Sequence, residues 1–143
     1  RRRGYGRILN VASLAGLVPG SQGATLYSAS KAFLINFTQS LAAETKGTGV
    51  LASAVCPGFT YSEFHDVTGS REIVAGLPKA LWMTADRVAE RALDAAERGR
   101  VVHVPGAVNK GVAVLFRLLP TGLGEAIARH QARRYRRMDQ PLD

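Results

Sequence analysis

Three residues stand out for the chemistry that their types and spacing allow. They are Ser13, Tyr27 and Lys31, in the run S-L-A-G-L-V-P-G-S-Q-G-A-T-L-Y-S-A-S-K. A tyrosine and a lysine at i and i+4 share one face of a helix. A free phenol releases its proton at about pH 10, and an adjacent ammonium favours the phenolate, so such a pair suits general acid/base work. A serine hydroxyl held beside them would hydrogen-bond the same substrate oxygen and stabilise charge developing there. The trio fits proton transfer to or from a carbonyl or an alcohol. A Y-x-x-x-K pair alone is a weak motif, so the elements around it must carry the weight.

Those elements are legible. Arg7 to Val11 (R-I-L-N-V) is a short apolar run of the kind a buried parallel strand requires, and it sets Ser13 just past the strand's end. Asn10 within it reads as structural. Gly16, Gly20 and Gly23 with Pro19 break regular structure until about Thr25. Tyr27 to Lys46 holds neither Gly nor Pro and is expected to be a long helix, with Phe33, Leu34, Phe37 and Leu41 as an apolar stripe. The stripe is either core or a helix-pair contact between subunits. Gly47 and Gly49 end the helix. Val50 to Cys56 is a second buried strand, stopped by Pro57-Gly58. Strand, helix, strand at this spacing is a βαβ unit and implies a right-handed parallel crossover.

From Phe59 to Met83 the pattern is irregular, with Phe59, Tyr61, Phe64, Trp82 and Met83 scattered along it. A segment beyond the carboxyl end of a parallel strand lies where α/β sheets bind ligands, so an apolar substrate pocket is expected from Ala15, Phe59, Phe64 and Trp82. Thr84 reads as an N-cap with Asp86 in the first turn, opening a helix that runs to about Arg98. Arg100 to Val104 is a third strand, and Pro105-Gly106 ends it. Helices of about Val108–Leu119 and Thr121–Met138 follow, broken at Pro120.

Taken together, G-R-I-L-N-V-A-S-L-A-G, then Y-S-A-S-K, then P-G-F-T closing the next strand strongly resemble the short-chain dehydrogenase/reductase family, from about Gly6 to Gly106. The resemblance implies an NAD(P)-dependent oxidoreductase that interconverts a carbonyl and an alcohol, with NAD or NADP as cofactor and hydride passed directly between cofactor and substrate carbon. It implies that Ser13 orients the substrate oxygen and Tyr27 is the acid/base. Lys31 would bind the nicotinamide ribose and favour the ionised tyrosine. Pro57 and Gly58 would lie against the nicotinamide. The family's P-G-x-x-x-T threonine falls at Ser62, a conservative departure, and Thr60 offers a second hydroxyl. The fold implied is α/β, a Rossmann-like three-layer parallel sheet, incomplete at about three strands. Residues 1–106 form the catalytic segment and 107–143 a helical basic tail.

The family's glycine-rich cofactor turn, its cofactor-selecting residue, its N-N-A-G element and its catalytic asparagine are not in these residues. Gly16, Gly20 and Gly23 follow a strand and precede a helix, but their G-x3-G-x2-G spacing is not that of a phosphate loop, and Tyr27 opens its helix too late to cradle one. The chain therefore reads as the C-terminal half of a dehydrogenase, and its start at Arg1 fits a fragment. A missing upstream strand would leave Arg7–Val11 as an open edge. Against this stands a different class of reading, a non-catalytic remnant or interaction module that keeps the fold's C-terminal half.

Composition narrows the field further. The chain has 143 residues, 46% hydrophobic and 21% charged, which is room for one domain with a real core and excludes a disordered chain. A lone Cys56 rules out an internal disulfide and reads as a small core residue, in keeping with a cytoplasmic setting. His65, His103 and His130 sit on separate elements, so no metal site is expected. The net charge of +8 comes from the ends, with four arginines in the first seven residues and five between Arg129 and Arg137. Only one tyrosine falls within each cluster, Tyr5 and Tyr135, too few for a base-stacking platform, so nucleic acid is not an expected partner. Val108, Val112, Leu115, Leu119, Leu123 and Ile127 precede the second arginine cluster. This suits packing against the domain or a subunit partner, and alternatively a peripheral membrane contact through 107–137. A homo-oligomer through helix 27–46 completes the expected partners.

Overall fold

A computed structural model of the chain describes residues 3–20, 24–69, 74–120 and 122–127. Its central feature is a parallel pair, β1 (Gly6–Val11) and β2 (Val50–Val55), in register from Gly6↔Val50 to Val11↔Val55. The 20-residue α1 (Thr25–Glu44) makes the crossover. A short strand on the far side of β2, Val102–His103, adds to the sheet in parallel through Ala54↔Val102 and Val55↔His103, giving the spatial order first, second, last.

The period of two along β1 directs alternate side chains to opposite faces, and each face has its own helix. On one face Asn10 Nδ2 donates to Thr38 Oγ1 of α1 at 2.8 Å, and Thr38 is fully buried. On the other, Arg7 Nε donates to Glu97 Oε2 at 2.9 Å. Glu97 closes the helix Ala85–Glu97, whose buried residues are Ala92, Ala95 and Ala96, small enough for a close approach to the strands. The result is helix, sheet, helix, the three-layer α/β arrangement expected. The core between sheet and α1 is Ala12, Ile35, Ala54 and Cys56, with Leu17, Leu34, Val102 and Val104 packed around it.

The segment expected to be irregular is partly ordered. It contains a second parallel pair, β3 (Phe59–Tyr61) and β4 (Trp82–Thr84), with Phe59↔Trp82, Thr60↔Met83 and Tyr61↔Thr84 opposite one another. Between them lies a single helical turn, α2 (Phe64–Val67). Strands of three residues are too short to show a period, and their partners lie 23 residues apart in sequence, so no local pattern marks them. The helix after β4, now α3 (Ala85–Glu97), is capped as expected: Thr84 Oγ1 accepts from Arg87 N at 3.4 Å. The last strand, β5 (Val102–His103), is shorter than the Arg100–Val104 expected, and α4 (Ala107–Leu118) follows it. Residues 122–127 are helical, while the rest of the expected Thr121–Met138 helix and its arginines lie outside the described residues. No helix among the described residues is long and apolar enough to cross a membrane.

The structure decides against one of the two readings of the α1 stripe. Of the stripe on α1, Phe33 and Phe37 are not core: they are 65% and 48% exposed and stack on each other with centroids 6.0 Å apart. Ile35 and Thr38 are the buried positions of that helix. α1 is apolar on several faces at once, so periodicity alone could not choose the inward one.

Candidate active site

The site lies at the carboxyl ends of β1 and β2. Beyond β1, Ser13 caps a single 3₁₀ turn (Leu14–Gly16), its Oγ accepting from Ala15 N at 3.1 Å. That bond uses a lone pair of the serine and not its hydroxyl proton. Leu14 N donates to Pro57 O at 2.8 Å, which ties the Ser13 loop to the Pro57-Gly58 turn at the end of β2. The two strand ends are thus fastened side by side.

α1 brings the other two groups. Lys31 Nζ donates to Val11 O at 3.0 Å, two residues before Ser13. The same ammonium stands 5.6 Å from the centroid of the Tyr27 ring, and Tyr27 is 37% exposed. Lys31 is therefore anchored by one N–H, and its other two have no hydrogen-bond partner among the described residues.

The approach of α1 to the 3₁₀ turn depends on Gly16. A Cβ built there would sit 2.7 Å from the Lys31 carbonyl carbon and 2.8 Å from Ala32 N. Only hydrogen fits between the turn and the helix backbone at the lysine. Gly20, by contrast, has open space around it. Reading these glycines as loop breakers alone missed the difference, because close packing across 15 residues leaves no local trace.

The remaining expected site residues fall into two groups. Thr60 Oγ1 donates to Gly58 O at 3.2 Å, bracing the turn, and Ser62 Oγ accepts from Phe64 N at 3.4 Å, starting α2. Phe64 lies against Tyr27 with centroids 5.9 Å apart. Phe59 and Trp82 are 5.4 Å apart and share a cluster with Tyr61 and His65, which come within 4.8 and 5.3 Å of the Trp82 ring. Ala15 lines a separate open cleft of about 460 Å³ with Gly16, Val18, Thr25, Ser28 and Ala29. The expected pocket residues thus divide between an aromatic cluster reaching Tyr27 and a cleft beside the 3₁₀ turn. Tyr61 and His65 join the cluster although the sequence did not single them out for it.

Cys56 is fully buried under the Ser13 loop. Burial pushes its thiol up to about 11, against a smaller lowering by a hydrogen bond from the Ser13 backbone. It stays protonated at neutral pH and is no nucleophile there.

Parallel strands fastened at their carboxyl ends, with a helix on each face, are the fold of a dehydrogenase of the short-chain type. The chain belongs to the short chain dehydrogenase family, which it matches over residues 1–72. It is 34% identical over 113 residues to the 3-oxoacyl-[acyl-carrier-protein] reductase FabG of Rickettsia bellii (strain RML369-C), covering 73% of this chain and 46% of that protein. Over 63 residues it is 56% identical to a 2-dehydro-3-deoxy-L-rhamnonate dehydrogenase (NAD(+)) of Sphingomonas sp. (strain SKA58), covering 44% of this chain and 25% of that one. A short-chain dehydrogenase from Sphingobium yanoikuyae in complex with NADPH superposes with a TM-score of 0.63 at 26% identity, over 99% of this chain and 48% of that one. The chain spans less than half the length of these relatives.

Proposed function

We propose that this chain is the substrate-side half of an NAD(P)-dependent oxidoreductase interconverting a carbonyl and an alcohol. The observation that carries the reading is Lys31 bound to the end of β1 while facing the Tyr27 ring, beside the Ser13 loop. The residues fit a nicotinamide cofactor's ribose end. Lys31 has donors to spare for ribose hydroxyls, and Pro57, Gly58 and Thr60 form a braced turn at the same sheet edge. When bound, the nicotinamide supplies or accepts the hydride. In the reducing direction the Tyr27 hydroxyl gives its proton to the substrate oxygen, while the Ser13 hydroxyl hydrogen-bonds that oxygen. The Lys31 ammonium stabilises the phenolate left behind. Phe64 and the aromatic cluster behind it would favour an apolar substrate.

The test is Tyr27→Phe in the full-length parent protein, assayed for ketone reduction with NADH and NADPH. The rate is expected to fall at least ~10²-fold with an unchanged circular dichroism spectrum. Wild-type kcat in that variant would remove Tyr27 from its role. The 143-residue chain alone is expected to show no turnover, since the family's cofactor turn is outside it.

The exposed Phe33–Phe37 stack, with Leu26 86% exposed on the same helix, supports α1 as the contact in a homo-oligomer. Phe33→Asp in the parent should lower its mass in sedimentation, and an unchanged mass would reject that contact.

A further inference from the structure

We infer that Asn109 is a positioning residue for the Pro57-Gly58 turn, holding it from behind at the place where the nicotinamide end of the cofactor is expected. The inference rests on the oxidoreductase reading above and adds to it a residue from outside the motifs.

Asn109 sits in the first turn of α4 and is only 2% exposed. Its Nδ2 donates to Pro105 O at 3.3 Å, which fixes the plane of the amide. Its Oδ1 is buried with no hydrogen-bond partner among the described residues. A leucine or methionine would fill this space without burying an unpaired acceptor, so simple core filling does not account for an asparagine here.

What the amide does touch is Gly58. A Cβ built on Gly58 would come within 2.5 Å of Asn109 Oδ1 and 2.7 Å of its Cγ and Nδ2. The flat face of the amide therefore lies directly on the glycine backbone, and the fit tolerates no side chain at position 58. The contact continues to the catalytic side. Gly58 O accepts from Thr60, and Pro57 O accepts from Leu14 N at 2.8 Å, next to Ser13. A turn released at Asn109 would shift at both the cofactor and the serine. Errors of about 1 Å in such placement have large consequences for reaction geometry.

The experiment uses the full-length protein, with NADH and NADPH binding read by nucleotide fluorescence beside thermal melting and steady-state kinetics. Asn109→Ala is expected to weaken dinucleotide binding about tenfold and to lower kcat. The KM for the carbonyl substrate and the pH profile set by Tyr27 should hold. Gly58→Ala alone should weaken binding more, because its methyl meets the amide. The double variant Gly58→Ala/Asn109→Ala should recover part of that loss, since the amide atoms in the way are gone. It also keeps the test alive should Asn109→Ala alone fold poorly. Binding within twofold of wild type in Asn109→Ala, a fall in Tm with binding unchanged, or a double variant no better than Gly58→Ala would each overturn the inference. Wild-type protein that binds neither nucleotide would overturn the oxidoreductase reading and this inference with it. Normal wild-type binding with an indifferent Asn109 overturns the inference alone.

Discussion

The two walls of the site are built on opposite principles. The wall of β1 and α1 presents side chains. Tyr27 is exposed, Lys31 and Ser13 are half-buried, and each keeps polar hydrogens without a partner among the described residues. The wall of β2, β5 and α4 presents backbone. Behind it Pro105 is under 2% exposed and Asn109 is 2% exposed, and what reaches the site is the Pro57-Gly58 turn. On the proposed reading the first wall exchanges protons, which requires groups that can meet solvent and substrate. The second can fix a position because packed interiors resist displacement. A single site needs both, and each has its own way of failing.

That contrast can be broken from either side. Tyr27→Phe carries the largest expected effect, on rate and not on stability, because the lost hydroxyl lies on the exposed wall. Gly16→Ala comes next. Its methyl would press on the α1 backbone at Lys31 and Ala32, neither of which can rotate away. A loss of about 2–3 kcal/mol is expected, measured by urea unfolding, together with a weaker hold on the lysine. If Gly16→Ala unfolds at the wild-type midpoint, the helix and turn are not locked as described.

The smallest effect sharpens the buried wall. His103 closes β5, and its Nε2 is buried without a hydrogen-bond partner among the described residues. Burial first, then Lys110, Arg100 and Arg91, lower its pKa below the ordinary 6.5, and Asp94 opposes them. The unfolded chain therefore takes up the proton first as the pH falls. His103 costs no stability above 6.5, and stability declines as the pH drops from there toward the folded value. Melting between pH 5 and 7 should show this slope, and His103→Gln should flatten it. An unchanged slope in that variant would assign it to other groups.

How far the sequence could be read follows the same division. β1, α1 and β2 were visible because apolar runs and Gly/Pro stops act locally, and all three were located to within about two residues. The Thr84 cap was visible for the same reason. The β3–β4 pair was not, since three-residue strands have no period and pair only across a long interval. The inward face of α1 was not either, because that helix is apolar on several sides.

The order of Ser13, Tyr27, Lys31 and Pro57-Gly58, and the family they belong to, were determined by the sequence alone. Side-chain type and spacing on one helix or at one strand end are local quantities. Tertiary structure decided which groups meet across the chain: Lys31 with Val11 O, Phe64 with Tyr27, Gly16 with the α1 backbone and Asn109 with Gly58. Those contacts join residues 15 to 51 positions apart, at distances set by packing three layers together, and no spacing rule along the chain encodes them.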